Sequence, residues 1–116
     1  MNIPYSNTET ASKLLHALQE RILMLDGAMG TMIQRHGLDE NDYHGERFAG
    51  WEVNLKGMND LLVLTRPDVI RGIHEEYLQA GADIIETNSF NATPSDLARY
   101  KLSDYAHEIN VAAAHV

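Results

Sequence analysis

Apolar side chains recur at helical spacing near the start of the chain. Four of them fall three or four positions apart, which places them on one face of an α-helix. Ser6 and Glu9 stand three residues apart, which is the spacing of a capping box at a helix N-terminus. The pattern therefore predicts a leading helix within residues 1–20. Its inner face consists of Ala11, Leu14, Leu15 and Leu18.

A second helix is marked by residues that suit its two ends. Thr65 can cap its N-terminus, Pro67 suits the first turn, and Gly81 suits the position after the last turn. A short helix is also expected from about residue 30, and two more are predicted after Thr93 and after Ser103, each of which can cap a helix. The inner face of the helix that follows Pro67 consists of Val69, Ile70, Ile73, Tyr77 and Ala80.

Two continuous apolar runs have a different character. Residues 22–27 read "ILMLDG" and residues 82–87 read "ADIIET". Such short runs, without polar alternation, are typical of strands that are buried on both faces of a parallel sheet. The predicted order is helix, strand, helix, strand, helix, and strand–helix–strand units imply a parallel sheet with right-handed crossovers.

This order predicts an α/β fold, either an α/β barrel or a doubly wound sheet. A barrel of eight strands needs about 250 residues. The chain has 116 residues, two convincing strands and a helical pattern that continues to its last residues. We therefore expect it to be the N-terminal part of a larger α/β domain.

Residues 37–60 interrupt the pattern with a polar stretch rich in Gly, Asp and Asn. A connection of this length is uncommon unless it is structured or functional. Tyr43, Phe48 and Trp51 lie within it, and Trp51 is expected to anchor it. The expected organisation is a leading helix in residues 1–20, followed in residues 21–116 by two strand–helix units and this insertion.

Composition and charge exclude several classes of function. The formal net charge is −8, and no basic run is present, which argues against a nucleic-acid partner. No stretch approaches the 18 apolar residues of a membrane span, and the N-terminus does not have the pattern of a signal peptide. The chain contains no cysteine, so disulfides and thiolate chemistry of its own are excluded. A cytoplasmic protein is the default expectation.

Polar and small residues follow each apolar run directly. The first run ends in Asp26-Gly27-Ala28-Met29, and the second ends in Glu86-Thr87-Asn88-Ser89. In parallel α/β proteins the ligand lies beyond the carboxyl ends of the strands, so Asp26 and Glu86 are expected to reach one cavity. Two carboxylates there suit a cationic group, such as the ammonium of an amino acid. The glycines beside Asp26 leave backbone N–H groups open to its carboxylate.

Each of these features also has a purely structural interpretation. Asp-Gly after a strand is often only a turn, Glu86 can be solvated or paired with an arginine, and Asn88 and Asn91 can be turn or cap residues. Gly27 and Gly30 do not complete a dinucleotide-binding fingerprint, which needs a third glycine. The six histidines show no spacing typical of metal ligands, and surface or packing roles are expected for them.

Three quoted segments together resemble a known family. They are "LDGAMGTMIQ" at 25–34, "GERFAGW" at 45–51, and "LKGMNDLLVLTRPDVIRGIHEEYLQAGADIIETNSFNAT" at 55–93. Each motif is weak alone, but in this order they resemble the homocysteine-binding domain of the cobalamin-dependent methionine synthases, within the homocysteine S-methyltransferase family. The resemblance implies a (βα)8 TIM barrel, of which this chain would hold the first βα units.

The resemblance also implies a reaction. Such enzymes bind homocysteine as a thiolate on zinc held by three cysteines and transfer to it a methyl group from cobalamin, which methyltetrahydrofolate recharges in neighbouring domains of the same chain. The resemblance assigns no catalytic residue and no metal ligand here, and it implies a substrate pocket with backbone N–H donors at Ala28 and Met29. The candidate substrate-binding residues are Asp26, Gly27, Ala28, Met29, Glu86, Thr87 and Asn88.

Two departures from the family pattern bear on the function. Met58 stands where a polar asparagine is expected, and the zinc cysteines are absent, as expected if they lie beyond this segment. We therefore expect the isolated chain to be inactive and prone to self-association through unpaired strand edges. Open alternatives are a betaine- or S-methylmethionine-type homocysteine methyltransferase, and a non-catalytic binding or assembly module. A hydrolase or aldolase fragment is disfavoured, because no nucleophile elbow or strand-end lysine is present.

Overall fold

The computed structural model describes residues 7–116, and these residues are mainly helical. Short 3₁₀ turns at Asn59–Leu61 and Ser103–Tyr105 precede the fourth and the last helix, and another at Ala98–Tyr100 follows the sixth. The α-helices are α1 (Thr8–Glu20), α2 (Met29–Gln34), α3 (Glu40–His44), α4 (Leu62–Thr65), α5 (Pro67–Gln79), α6 (Pro94–Leu97) and α7 (Ala106–His115).

The predicted strands, and with them the α/β class and the truncated (βα)8 barrel, are wrong. Helices account for 58% of the structure and strand for 2%, and the described residues contain no sheet. The two apolar segments do meet, but the β-bridge that joins them in the described residues is an isolated parallel one between Leu25 and Ile84. A few hydrogen bonds flank this bridge, and they do not extend into the continuous ladder that would make the segments strands.

The physical reason for this error is that an apolar run predicts burial but does not provide neighbours. A strand needs a continuous row of hydrogen bonds to a partner, and a strand buried on both faces also needs covering layers. Here the side chains of the first run are largely exposed. Ile22 is 85% exposed, and Met24 and Leu25 are 59% and 57% exposed.

Helix α1 forms where the spacing of apolar residues predicted it. Its N-cap is Asn7, whose side chain accepts a hydrogen bond of 3.0 Å from the N–H of Thr10. The predicted cap Ser6 lies outside the described residues. The apolar face of α1 is not buried, and Leu18 is 54% exposed. The predicted self-association, which such a surface favours, stays a prediction.

Helix α5 begins at Pro67, as predicted, and ends one residue before Ala80. Gly81 has a φ of +108°, its N–H donates to the carbonyl of Leu78, and the next N–H donates to the carbonyl of Tyr77. This is the Schellman arrangement, which favours glycine at that position. The predicted cap Thr65 is wrong, because the N-cap residue is Arg66 and no side chain caps the helix.

The later caps are borne out in part. The hydroxyl of Thr93 accepts a hydrogen bond from the N–H of Asp96 and caps α6, as predicted. Ser103 does not cap a helix. It begins the 3₁₀ turn before α7, and its hydroxyl donates to the carbonyl of Pro94.

The insertion at residues 37–60 supplies much of the core. Phe48 is buried and packs edge-to-face with Trp51 and with Tyr105, and the Trp51 indole N–H donates to the carbonyl of Tyr100. Glu40 on α3 accepts hydrogen bonds from the backbone N–H groups that follow Asn54. The fully buried side chains of the core are Phe48, Leu55, Leu61, Leu62, Ile70, Ile73, Leu97, Leu102 and Ile109.

A bidentate ion pair ties the chain after α1 to the second apolar segment. The two terminal guanidinium nitrogens of Arg21 donate to the Asp83 carboxylate, at 2.9 and 2.6 Å, and the N–H of Met24 donates to the same group at 2.9 Å. The hydrogen bonds from Arg21, followed by that from Met24, lower the pKa of Asp83 to about 2. This contact lies next to the Leu25–Ile84 bridge and holds the two segments in register.

We predict that Asp83→Asn lowers the melting temperature at neutral pH and that the difference from wild type shrinks in acid. The folded-state pKa of Asp83 is depressed, so its stabilisation is present above the ordinary value of 3.8 and is lost as the pH falls through about 2. Thermal unfolding followed by circular dichroism at pH 6 and pH 2 measures this. Asp104→Asn, on the exposed turn before α7, is the matched control. An equal pH dependence for both variants would contradict the assignment.

Candidate functional site

The ends of both apolar segments line one cavity of about 520 Å³. All seven residues predicted from the sequence line it, together with a loop that the sequence did not point to. The volume is within the range of small-molecule sites, which is about 300–1,000 Å³. The lining residues are Asp26, Gly27, Ala28, Met29, Gly30, Gly57, Asn59, Asp60, Glu86, Thr87, Asn88, Ser89, Phe90 and Asn91.

Backbone hydrogen bonds bring Asp26 and Glu86 to the same cavity. The N–H of Asp26 donates to the carbonyl of Ile84 at 2.9 Å, and the N–H of Glu86 donates to Oδ2 of Asp26 at 3.1 Å. Together with the Leu25–Ile84 bridge, these bonds fix the register of the two segments. The predicted juxtaposition of the two residues is therefore present, although no sheet surrounds it.

The cavity is lined by acidic groups without a compensating base. Asp26, Asp60 and Glu86 line it, and among residues 7–116 no lysine or arginine does. Asp60 is 3% exposed, and burial raises the pKa of its carboxyl group, while the hydrogen bond from the N–H of Asn91 opposes that shift. Such a lining favours a ligand that carries a positive charge.

Asn88, predicted as a wall of the substrate pocket, also holds the fold together. Its side chain is buried, and its amide donates to the carbonyl of Asn59 at 2.9 Å. Asn59 is itself held by the hydroxyl of Tyr43, which donates to its side-chain oxygen at 2.7 Å. Thr87 and Ser89 share a hydroxyl–hydroxyl contact of 2.6 Å. Asn88 therefore fastens the second segment to the turn that precedes α4.

Sequence reasoning missed Asn59, Asp60 and Phe90. Asp60 accepts a hydrogen bond of 2.6 Å from the N–H of Asn91, a contact across 31 positions that no local pattern encodes. Phe90 is 93% exposed at the rim of the cavity, and an aromatic residue within a run of polar residues was the available signal. Met58, where an asparagine was expected, is buried in the core, so an apolar side chain suits that position.

Helix α5 packs against the first apolar segment. The hydroxyl of Tyr77 donates to the carbonyl of Ala28 at 2.8 Å. A Cβ atom added at Gly27 would lie 3.1 Å from that hydroxyl and 3.3 Å from the ring. Gly27 therefore allows the segment to approach α5 closely, since a side chain at this position would require Tyr77 to shift by a few tenths of an ångström.

The donor set of the cavity does not fit a zinc–thiolate site. The chain has no cysteine, and residues 7–116 contain no group of three or more His, Cys, Asp or Glu side chains that could hold a metal ion. Among the described residues, no histidine lines the cavity. We assign no residue of this chain to zinc or to cobalamin.

The geometry is that of a small acidic cavity, which suits a cationic or zwitterionic ligand. The model of a known family, homocysteine S-methyltransferase, matches residues 23–116. The chain belongs to the homocysteine S-methyltransferase family, and its general role is therefore in the methylation of homocysteine. Within residues 7–116, no helix combines the length and the apolar character needed to cross a membrane.

We predict that Gly27→Ala destabilises the protein and Gly30→Ala does not. The new methyl group would press on Tyr77, and overpacking of this kind costs about 1–3 kcal/mol. At Gly30 the nearest atom to an added Cβ is 3.9 Å away, which is an ordinary contact. Urea unfolding midpoints measure both variants. Equal midpoints would contradict the close packing of Tyr77 against the segment after Asp26.

Proposed function

We propose that the chain binds L-homocysteine as the methyl acceptor and that the cavity holds its amino acid end. The observation that carries this proposal is the convergence of Asp26, Asp60 and Glu86 on one cavity without a basic neighbour, in a chain of this family. Homocysteine carries an ammonium group, which such a lining attracts, and a carboxylate, which needs separate donors.

The two charged groups of the ligand have distinct partners in this proposal. The ammonium lies between Asp26 and Glu86, whose carboxylates both line the cavity. The carboxylate is placed at the backbone N–H groups of Ala28 and Met29. Within residues 7–116 neither N–H has a hydrogen-bond acceptor, so both are open to an anion. Thr87 and Asn88 form the wall, with Asn88 fastened to Asn59.

The thiol of homocysteine is the nucleophile of the proposed reaction. It loses its proton to solvent, and the sulfur then forms a bond to the methyl carbon while the bond between that carbon and the methyl donor breaks. The donor keeps the bonding electron pair, and the product is a thioether. We assign Glu86 to ammonium binding and not to proton transfer. The "GERFAGW" segment and the flanking motifs resemble those of cobalamin-dependent methionine synthases. This likeness supports methylcobalamin as the methyl source and methionine as the product. In this proposal the cobalamin is recharged by 5-methyltetrahydrofolate in other domains of a longer chain.

The "GERFAGW" segment supports that finer assignment through sequence alone. Phe48 and Trp51, which belong to it, pack against Tyr105 in the core and do not line the cavity. Its contribution in this structure is therefore to the fold.

We predict that Asp26→Asn weakens homocysteine binding by about 10- to 100-fold, because a hydrogen bond to a charged group contributes about 1.5–3 kcal/mol. Asparagine keeps an oxygen that can accept from the N–H of Glu86, so the segment is expected to retain its position. Glu86→Gln should have a smaller effect, of about two- to fivefold, because Glu86 is exposed. Isothermal titration calorimetry measures all three proteins, and Glu75→Gln, on the exposed face of α5, is the charge-matched control.

Two truncated ligands separate the roles of the charged groups. 3-Mercaptopropylamine lacks the carboxylate, and 4-mercaptobutyrate lacks the ammonium. We expect Asp26→Asn to weaken binding of homocysteine and of the amine, and to leave binding of the acid unchanged. Equal affinity of the wild-type protein for homocysteine and 4-mercaptobutyrate would contradict the proposal.

We also propose that this chain by itself does not activate the thiol. It provides no cysteine and, within its described residues, no metal-binding group. Incubation of the chain with homocysteine and methylcobalamin should therefore yield no more methionine than a protein-free control, as measured by mass spectrometry. Catalytic turnover by the 116-residue chain would overturn this proposal.

A further inference from the structure

His74 is a buried titratable residue whose position the proposed function does not explain. It lies on the inner face of α5 and is 4% exposed. Its Nδ1 atom is buried and has no hydrogen-bond partner among the described residues. An unsatisfied buried polar atom is destabilising unless it finds a partner, so the partner of this Nδ1 atom needs an explanation.

Asp26 has a complementary unsatisfied atom. Its Oδ2 accepts the hydrogen bond from the N–H of Glu86, whereas its Oδ1 is buried and has no partner among residues 7–116. A neutral imidazole that is protonated at Nδ1 can donate one hydrogen bond there, and an ionised carboxylate can only accept. His74 can therefore donate a hydrogen bond from Nδ1, and the Oδ1 atom of Asp26 can accept one.

The packing of α5 places the two residues on facing elements. Tyr77 follows His74 by three positions and so lies on the same helix face, and its hydroxyl bonds the carbonyl of Ala28, two residues after Asp26. Helices α2 and α4, which also pack on α5, carry no charged side chain. On α5 itself, the neighbouring charged residues Arg71 and Glu75 are exposed.

The electrostatics of His74 agree with this arrangement. Burial lowers the pKa of His74 from its usual value of 6.5, and the negative charge of Asp26 raises it in opposition. Asp26 is thus the charged group on a neighbouring element whose field reaches the imidazole. The lowered pKa favours the neutral imidazole, which can still donate one hydrogen bond from Nδ1.

We propose that His74 is a positioning residue for Asp26. The Nδ1 atom of His74 and the Oδ1 atom of Asp26 are not within hydrogen-bond distance of each other, so the N–H at Nδ1 of the imidazole satisfies the inner oxygen of the carboxylate through one bridging water molecule. The other oxygen thereby stays aligned with the N–H of Glu86 at the wall of the cavity. The consequence for ligand affinity rests on the proposed homocysteine site, whereas the pairing of His74 with Asp26 does not.

The pairing is tested without any ligand by ¹⁵N NMR of the histidine rings in the full chain. We expect His74 to be neutral at pH 7 with its proton on Nδ1. Asp26→Asn should lower the pKa of His74 further, because it removes the negative charge that raises it. The signal of exposed His107 on α7 is the internal reference. A proton on Nε2, or a titration of His74 that is unchanged in Asp26→Asn, would overturn the proposal.

The effect on the site is tested with two variants of different chemistry. His74→Asn places an amide N–H close to the position of Nδ1, and His74→Leu has a similar volume without a donor. We expect His74→Leu to weaken homocysteine binding about fivefold, the equivalent of one hydrogen bond, and His74→Asn to stay close to wild type. Lowering the pH through the depressed pKa of His74 should weaken binding to wild type, because a cationic imidazole competes with the ligand for Asp26. His74→Asn should not show this decline.

The outcomes separate the two proposals. If both variants bind homocysteine as the wild type does, with the same pH profile, His74 has only a structural role and the inference is wrong. If the wild-type protein does not bind homocysteine at all, the proposed function fails. The ring titration of the wild type and Asp26→Asn then decides the role of His74 by itself.

Discussion

The Asp26 residue makes two hydrogen bonds on which the candidate site depends. Its N–H donates to the carbonyl of Ile84, and its carboxylate accepts from the N–H of Glu86. These bonds join segments that are about sixty positions apart in sequence. They bring the side chains of Asp26 and Glu86, from distant parts of the sequence, to the same acidic cavity. The remaining contacts around the cavity act by holding these two segments where the bonds can form.

Three supports surround this junction. On one side, Arg21 and Asp83 lock the segments in register ahead of the bridge. Helix α5 packs closely on the segment after Asp26, and this close packing is possible because Gly27 has no side chain. The third support is the turn before α4, which holds the second segment through Asn88 and Asp60 (the latter by way of a backbone N–H). These three supports hold the polar groups around the cavity in place, although the segments that carry them lie outside the helices.

The features that could be predicted from the sequence are those that depend on residues close together along the chain. The spacing of apolar residues and the proline and glycine at its ends located α5, and the change from apolar to polar residues located Asp26 and Glu86. The strands and the barrel were wrong, because a strand depends on neighbours that an apolar run cannot specify. Asp60 was missed for the same reason, since its partner lies 31 positions away. The family was identified correctly, because motif order is a property of the sequence itself.

A titration of the ¹⁵N-labelled chain with L-homocysteine, followed by amide NMR, tests the central claim most directly. We expect saturable shifts at the N–H groups of Ala28, Met29 and Glu86, which border the acidic cavity. A neighbouring cavity of about 400 Å³, lined by Leu38 and Lys56 among others, should show no comparable response. Shifts confined to that second cavity, or the absence of any saturable shift, would contradict the claim that the junction of Asp26 and Glu86 forms the homocysteine site.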